Sequence, residues 1–314
     1  MSFIKLIIVS ACVLFLGCNS NKKVKEELIK ESPKIAFTFD DGSTKDLPNY
    51  QLEEWNQLIL RHLKKNDLKA VLFATGSFLE GEKGKYVLNS WNDAGHKIAN
   101  HTYSHPYYHS SKVTINDFEK ELLKNDSIIK NYSNYYRYFR YPYLKEGNSE
   151  AKRDSFRAFL KNQNYKVGHV TIDASDWYVS SRLTKRLKEN PEADISGYRD
   201  YYIDHIYNRA LFYDSLAAQL TNRKIKHTLL LHHNLTSALF LDDLIKHFKS
   251  KGWEVVNADE AFNDQIYNEH PKTLPAGESL IWSLAKQTGK YDSILRYPPE
   301  DSQYEKDNMD ILGL

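Results

Sequence analysis

Cysteine is almost missing from this chain: among its 314 residues only Cys12 and Cys18 carry a thiol. Both lie near the start, so neither a disulfide framework nor a cysteine-held ion can organise the rest. Charge of one sign is also lacking. Lys and Arg number 43 against 41 Asp and Glu, a formal net charge of +2. With no basic stripe and no acidic tail, nucleic acid is not an expected partner. The apolar run 6–16 is too short to span a bilayer. No repeat at a fixed period argues for a solenoid, and no low-complexity linker divides the chain beyond its first thirty or so residues.

What the chain does have is 41% hydrophobic residues and 13% aromatics, enough for one large core and one main domain. Its 22 tyrosines suit half-buried packing first and sugar rings second. Lys5 before the run 6–16 gives the pattern of a signal peptide. Leu14 to Cys18 is similar to a bacterial lipoprotein signal, although Phe15 and Leu16 are bulkier or less usual than such a signal prefers. The expected organisation is a signal peptide at 1–17 and a lysine-rich tether at 18–32 after a lipidated Cys18. A main domain at 33–262 and a wrapping extension at 263–314 follow. The expected place is the bacterial envelope, lipid-anchored on a periplasmic or outer-membrane face, or secreted where lipidation fails, as a monomer.

From residue 33 short apolar runs alternate with amphipathic stretches. Runs at 35–39, 70–74, 97–100, 138–141, 167–172 and 228–231 have the length of buried strands. Stretches at 51–65, 86–93, 118–130, 151–162, 198–220 and 237–249 have helical spacing. This alternation predicts an α/β fold with a parallel sheet, open or closed into a barrel.

Chemistry-bearing residues sit where the strands end. The run 35–39 leads into Asp40-Asp41-Gly42. Alone, that tripeptide reads as a solvated turn. At the C-terminal end of a buried strand, however, two adjacent carboxylates repel unless a cation holds both ionised. His101 and His105 follow the next strand but one. Four residues apart, they share a face if the segment is one helical turn, and they can offer two nitrogens to one ion. Thr102 occupies the position where the zincin motif needs glutamate. Asp41, His101 and His105 are therefore the expected metal ligands, leaving positions open for water and substrate. Arg140 in Phe139 to Tyr143, Asp173 to Trp177, and Leu229 to His233 end further strands.

These segments, in this order, resemble the polysaccharide deacetylase family, also called the NodB-type or carbohydrate esterase family 4 domain, over residues 33–262. The resemblance implies a distorted (β/α) barrel with fewer repeats than the eight-fold kind, here followed by the C-terminal extension. It implies a metal-dependent hydrolase removing N-acetyl groups from an amino-sugar polysaccharide, with one divalent cation: Zn²⁺, or Co²⁺, Ni²⁺ or Fe²⁺. In the same reading Asp40 is the general base, Arg140 its partner, and His232 the acid held by Asp176. The Tyr143 N–H faces the developing oxyanion, and Trp177 and Leu230 wall a slot for the acetyl methyl. Asp173 belongs to the motif with a role left open. Ser43, where many relatives have proline, and His233, where a carboxylate or small polar residue is common, depart from the pattern.

Rival readings are an O-acetyl esterase on a plant or algal glycan, an iron oxygenase using two histidines and a carboxylate, and a catalytically silent sugar-binding lipoprotein. The oxygenase normally needs an all-β barrel. The silent binder has no need of Asp40, Arg140, Asp176 and His232. The stretch 178–226, long for one connection, is expected to shape a substrate groove or brace the barrel, with a lean toward the groove.

Overall fold

The apolar runs become parallel strands. A computed structural model describes residues 31–314, so the expected signal peptide, Cys18 and nearly all of the expected tether lie outside the described residues. The strands are β1 (Lys34–Asp41), β2 (Val71–Ala74), β3 (Lys97–Asn100), β4 (Tyr135–Phe139), β5 (Lys145–Gly147), β6 (Lys166–Val167), β7 (Lys226–His232), β8 (Glu254–Val255) and β9 (Ala276–Gly277). Six of them lie in the order β6-β4-β3-β2-β1-β7, with β8 also paired to β1, and β5 and β9 form a separate antiparallel pair. In β1 every residue from Ile35 to Asp40 is buried, which explains why it reads as a continuous apolar run.

The sheet curls until its edges nearly meet. The Gly168 N–H donates to the Phe139 carbonyl at 2.7 Å on the β4 side. A few residues on, the Ile172 N–H donates to the Thr228 carbonyl at 3.0 Å on the β7 side. One segment thus touches both edges, and the result is the expected distorted (β/α) barrel. It also explains why the predicted strand 167–172 is regular only at Lys166–Val167: beyond Gly168 the backbone leaves β4 to reach β7. A Cβ at Gly168 would lie 2.4 Å from the Phe73 ring, so glycine is required at this crossing.

Helices cover the sheet for the reason their spacing suggests. Leu52–Lys65 buries Leu52, Trp55, Ile59, Leu60 and Leu63, an i, i+3, i+7 stripe, against Leu235–Ser250. Each such side chain contributes about 1.5–3 kcal/mol of burial. Caps move several boundaries. The helix expected from 118 begins at Ile115, because the Thr114 hydroxyl accepts from the Asp117 N–H and Asp117 accepts in return. The helix expected at 86–93 starts at Gly81.

The stretch 178–226 holds two helices with different jobs. Asp176–Glu189 begins at the site, whereas Ser196–Thr221 packs against Leu235–Ser250 and Leu280–Thr288 as a brace. The segment after 262 joins the same core through Leu280, Ile281, Trp282, Ala285 and Met309. No helix among the described residues is long and apolar enough to cross a membrane.

Candidate active site

Asp40 pairs in register with His232 of β7 and Phe73 of β2. Adjacent strand residues normally face opposite ways. Asp41 escapes that rule at φ 75°, and both carboxylates line one cavity of about 650 Å³. Gly42 continues the turn at φ 87°, and a Cβ there would lie 2.6 Å from Leu79. Left-handed backbone recurs at Thr102 (φ 67°), His105 (φ 58°) and Tyr143 (φ 56°), so conformational strain gathers around this cavity.

His101 and His105 do come together, but not on a helical turn. The segment after β3 is irregular, and the left-handed Thr102 and His105 bring the two rings to a centroid distance of 4.9 Å. Side chains hold the loop: Asn100 accepts from the Thr102 N–H at 2.9 Å, and the Thr102 hydroxyl accepts from the His105 N–H at 3.1 Å. His101 Nδ1–H donates to the Arg140 carbonyl at 2.8 Å, leaving Nε2 as a lone pair. That nitrogen lies 3.6 Å from Asp41 Oδ1, and His105 Nε2 lies 3.3 Å from the same oxygen.

These three residues fit a divalent cation. Burial pushes both imidazoles down to about 3, so they are neutral donors at ordinary pH. Burial lifts Asp41 to about 6. Its Oδ1 is buried and accepts no hydrogen bond. Lone pairs of two nitrogens and one oxygen therefore converge with no proton between them, an arrangement that a cation relieves. A second group, His205, Glu300 and Glu305, is also compact. There His205 Nε2 accepts from the Ser175 N–H, Nδ1 pairs with Glu305, and Arg209 and Arg296 neutralise the carboxylates. Both nitrogens of His205 are engaged and two arginines face the carboxylates, so the group is an ion-pair network, with only Glu300 Oε2 accepting no hydrogen bond.

Behind Asp40 stands Arg140, wholly buried just after β4. Its Nη1–H groups donate to Asp40 Oδ1 at 2.5 Å and Thr38 Oγ1 at 2.9 Å, and its Nε–H to the Gly168 carbonyl at 2.8 Å. The guanidinium also lies 3.9 Å from the Phe73 ring centre. Burial lifts the Asp40 carboxyl above its ordinary value against the pull of Arg140, which makes it a better proton acceptor than an exposed carboxylate.

His232 faces the same cavity from β7. Its Nδ1–H donates to Asp176 Oδ1 at 2.7 Å, while Asp176 Oδ2 accepts from the His232 N–H at 2.9 Å and from Asn234 at 3.0 Å. Burial opposes the charged ring, but the charge and hydrogen bond of Asp176 outweigh it and push His232 up to about 10. The cavity thus holds a carboxylate acceptor and a protonated donor together. Trp177, Leu230, Tyr143 and Asp173 also line it, and burial holds Asp173 well above the usual carboxylate range.

The two departures at Ser43 and His233 belong together. His233 is buried 4.3 Å from Trp55, its Nδ1 accepts from the Ser43 N–H at 3.1 Å, and its Nε2–H donates to Asn56 at 3.0 Å. Proline at 43 has no N–H to give. Sequence reasoning missed Phe78, Tyr107, Lys145, Glu278 and Tyr297 to Asp301 on the cavity wall. Most of them follow no strand, and nothing local marks them.

A (β/α) barrel with a carboxylate and two imidazoles at its strand ends defines the class. Residues 29–167 match the family model described as polysaccharide deacetylase. A peptidoglycan-N-acetylglucosamine deacetylase of Bacillus cereus is 30% identical over 145 residues, 46% of each chain. One from Listeria monocytogenes is 22% identical over 243 residues, covering 76% of this chain and 40% of that one. The chain thus spans less than half the length of these curated relatives. Among solved structures, the Bc1960 peptidoglycan N-acetylglucosamine deacetylase shares the fold at a TM-score of 0.50 and 24% identity, over 73% of this chain and 87% of that chain. Residues 29–167 are thus similar to a polysaccharide deacetylase domain, and the barrel shares the fold of a solved one.

Proposed function

We propose that this chain is a metal-dependent hydrolase that removes N-acetyl groups from an amino-sugar polysaccharide in a bacterial envelope, held there by lipid on Cys18. The observation that carries this reading is the joining, in one cavity, of Asp41, His101 and His105 with the Asp40–Arg140 and His232–Asp176 pairs. Asp41, His101 and His105 would hold the ion. When bound, a divalent cation polarises the acetyl carbonyl and acidifies water. The mixed nitrogen and oxygen donor set suits zinc, and also cobalt, nickel or iron.

Asp40 takes a proton from the attacking water as its oxygen bonds to the acetyl carbon. Arg140 keeps the Asp40 carboxylate aimed through its hydrogen bond. Negative charge grows on the carbonyl oxygen, which the Tyr143 N–H stabilises. The C–N bond then breaks while His232 gives its proton to the departing nitrogen, releasing acetate and a free amine. Trp177 and Leu230 enclose the methyl group.

A positioned proton donor matters most for an amide, because an amine leaves as an anion far less readily than an alcohol does. Asp176 keeps His232 protonated at neutral pH and so favours N-acetyl over O-acetyl substrates. A silent sugar binder would gain nothing from two buried ion pairs whose desolvation is costly. The names of the Bacillus and Listeria relatives support peptidoglycan as the polymer.

The test is acetate release from N-acetylglucosamine oligomers. Release that stops with chelator and returns with zinc is the expected result. Tight sugar binding with no acetate, or oxygen consumption, would contradict it.

A further inference from the structure

Aromatic rings meet solvent in one place on this molecule. Among the described residues five aromatic side chains are exposed: Phe78, Tyr107, Tyr143, Trp177 and Tyr297. All five line the one cavity that holds Asp40, Asp41 and His232. Exposed rings scattered at random over a surface need no explanation, but rings confined to one cavity mark a binding surface. Four come from the barrel. Tyr297 comes from the segment after 262 and is the most exposed of the set at 57%.

Tyr297 is open yet firmly mounted. Its N–H donates to the Tyr304 hydroxyl at 3.1 Å, and the Trp282 indole donates to the neighbouring Arg296 carbonyl at 2.9 Å. One side of its ring lies near Trp282, with centroids 5.9 Å apart and planes 34° apart. Beyond it Pro298 and Pro299 restrict the backbone. Glu300 then anchors the segment, accepting from Tyr213 at 3.2 Å and pairing with Arg209. A flexible loop would lose conformational entropy on binding, whereas this mounting has already removed it.

The cavity also continues away from Tyr297. A second groove shares Asp41, Phe78, Trp177 and His232 and runs along Ser180, Thr184 and Lys188 of the helix Asp176–Glu189. Asp40 and His232 thus stand between two stretches of open surface, an arrangement suited to an extended chain with its reacting unit in the middle.

We infer that Tyr297 is a specificity-determining residue: its ring stacks on the sugar unit next to the one being deacetylated, so the site selects oligomers over single sugars. The apolar faces of pyranose rings match a rigid exposed ring whose neighbours on the wall, Glu278 and Asp301, can accept from sugar hydroxyls. This rests on the reading of the site as one for amino-sugar polymers.

The experiment measures acetate release and tryptophan and tyrosine fluorescence quenching for the zinc-loaded protein, with N-acetylglucosamine oligomers of one to five units. 4-Nitrophenyl acetate serves as a sugar-free control. In the unaltered protein KM falls as the oligomer lengthens. Tyr297→Ala raises KM and the dissociation constant for long oligomers about threefold to tenfold. It leaves kcat and the 4-nitrophenyl acetate rate unchanged, and Tyr297→Phe restores the parent KM. Equal KM values for Tyr297→Ala and parent on long oligomers would overturn the inference, as would an equal loss on every substrate. Tyr297-dependent oligomer binding without acetate release would keep the inference and sink the hydrolase reading.

Discussion

The barrel and the segment after residue 262 reach the same cavity by different routes. In the barrel, reactive groups follow directly from strand ends: Asp40 and Asp41 from β1, His101 from β3, Arg140 from β4 and His232 from β7. In the segment, Glu278 follows the short β9 and is held by Lys145 of β5, while Tyr297 and Glu300 arrive through packing, held by Trp282 of the same segment and by Arg209. Strand ends fix reacting atoms because a register leaves little freedom. Packed loops fix walls, where a shift of a fraction of an ångström matters less. On the proposed function the barrel therefore governs chemistry, and the segment governs what the cavity admits and how well the fold holds.

Substitutions on either side of this divide should differ in kind. The largest effect belongs to the barrel. Asp176→Ala removes the partner that raises His232 to about 10. A raised histidine is protonated below its pKa, so losing Asp176 moves the alkaline limb of kcat to lower pH. Turnover at neutral pH should fall about 10²–10⁴-fold, as expected for a lost general acid. A pH–rate profile checks this, and an unmoved alkaline limb would separate His232 from proton donation.

On the segment, Glu305→Ala leaves His205 without its buried partner and Arg296 with Glu300 alone. Removing one member of such a pair costs about 3–5 kcal/mol of stability. Thermal unfolding should show that loss, while turnover per folded molecule stays close to the parent. A fall in turnover without a fall in stability would place the segment among the reacting groups and erase the comparison.

Much of the barrel site was legible because strands end abruptly in polar residues and a buried strand reads as a short apolar run. The parallel (β/α) arrangement followed from the alternation of such runs with amphipathic stretches. What escaped was tertiary. The spacing of His101 and His105 suits a helical turn, yet the loop depends on a left-handed Thr102 that carries no sequence mark. Ser43 and His233 look like two separate departures until the hydrogen bond between them is seen. Glu278 and Tyr297 lie in proline-bearing, weakly periodic sequence; the two-residue β9 on β5 places Glu278, and the packing of Leu280–Thr288 against Ser196–Thr221 supports the ring of Trp282 beside Tyr297. The long stretch 178–226 divides between both expected roles: its first helix edges a groove and its second braces the barrel.

Calorimetric titration of zinc into metal-free protein addresses most directly the claim that Asp41, His101 and His105 share one ion while Asp40 stands beside it as a base. The parent and Asp40→Asn should each bind one equivalent, with only the parent releasing acetate, and Asp41→Ala should bind none. Zinc binding by Asp41→Ala with the parent's affinity, or full activity in Asp40→Asn, would contradict the account.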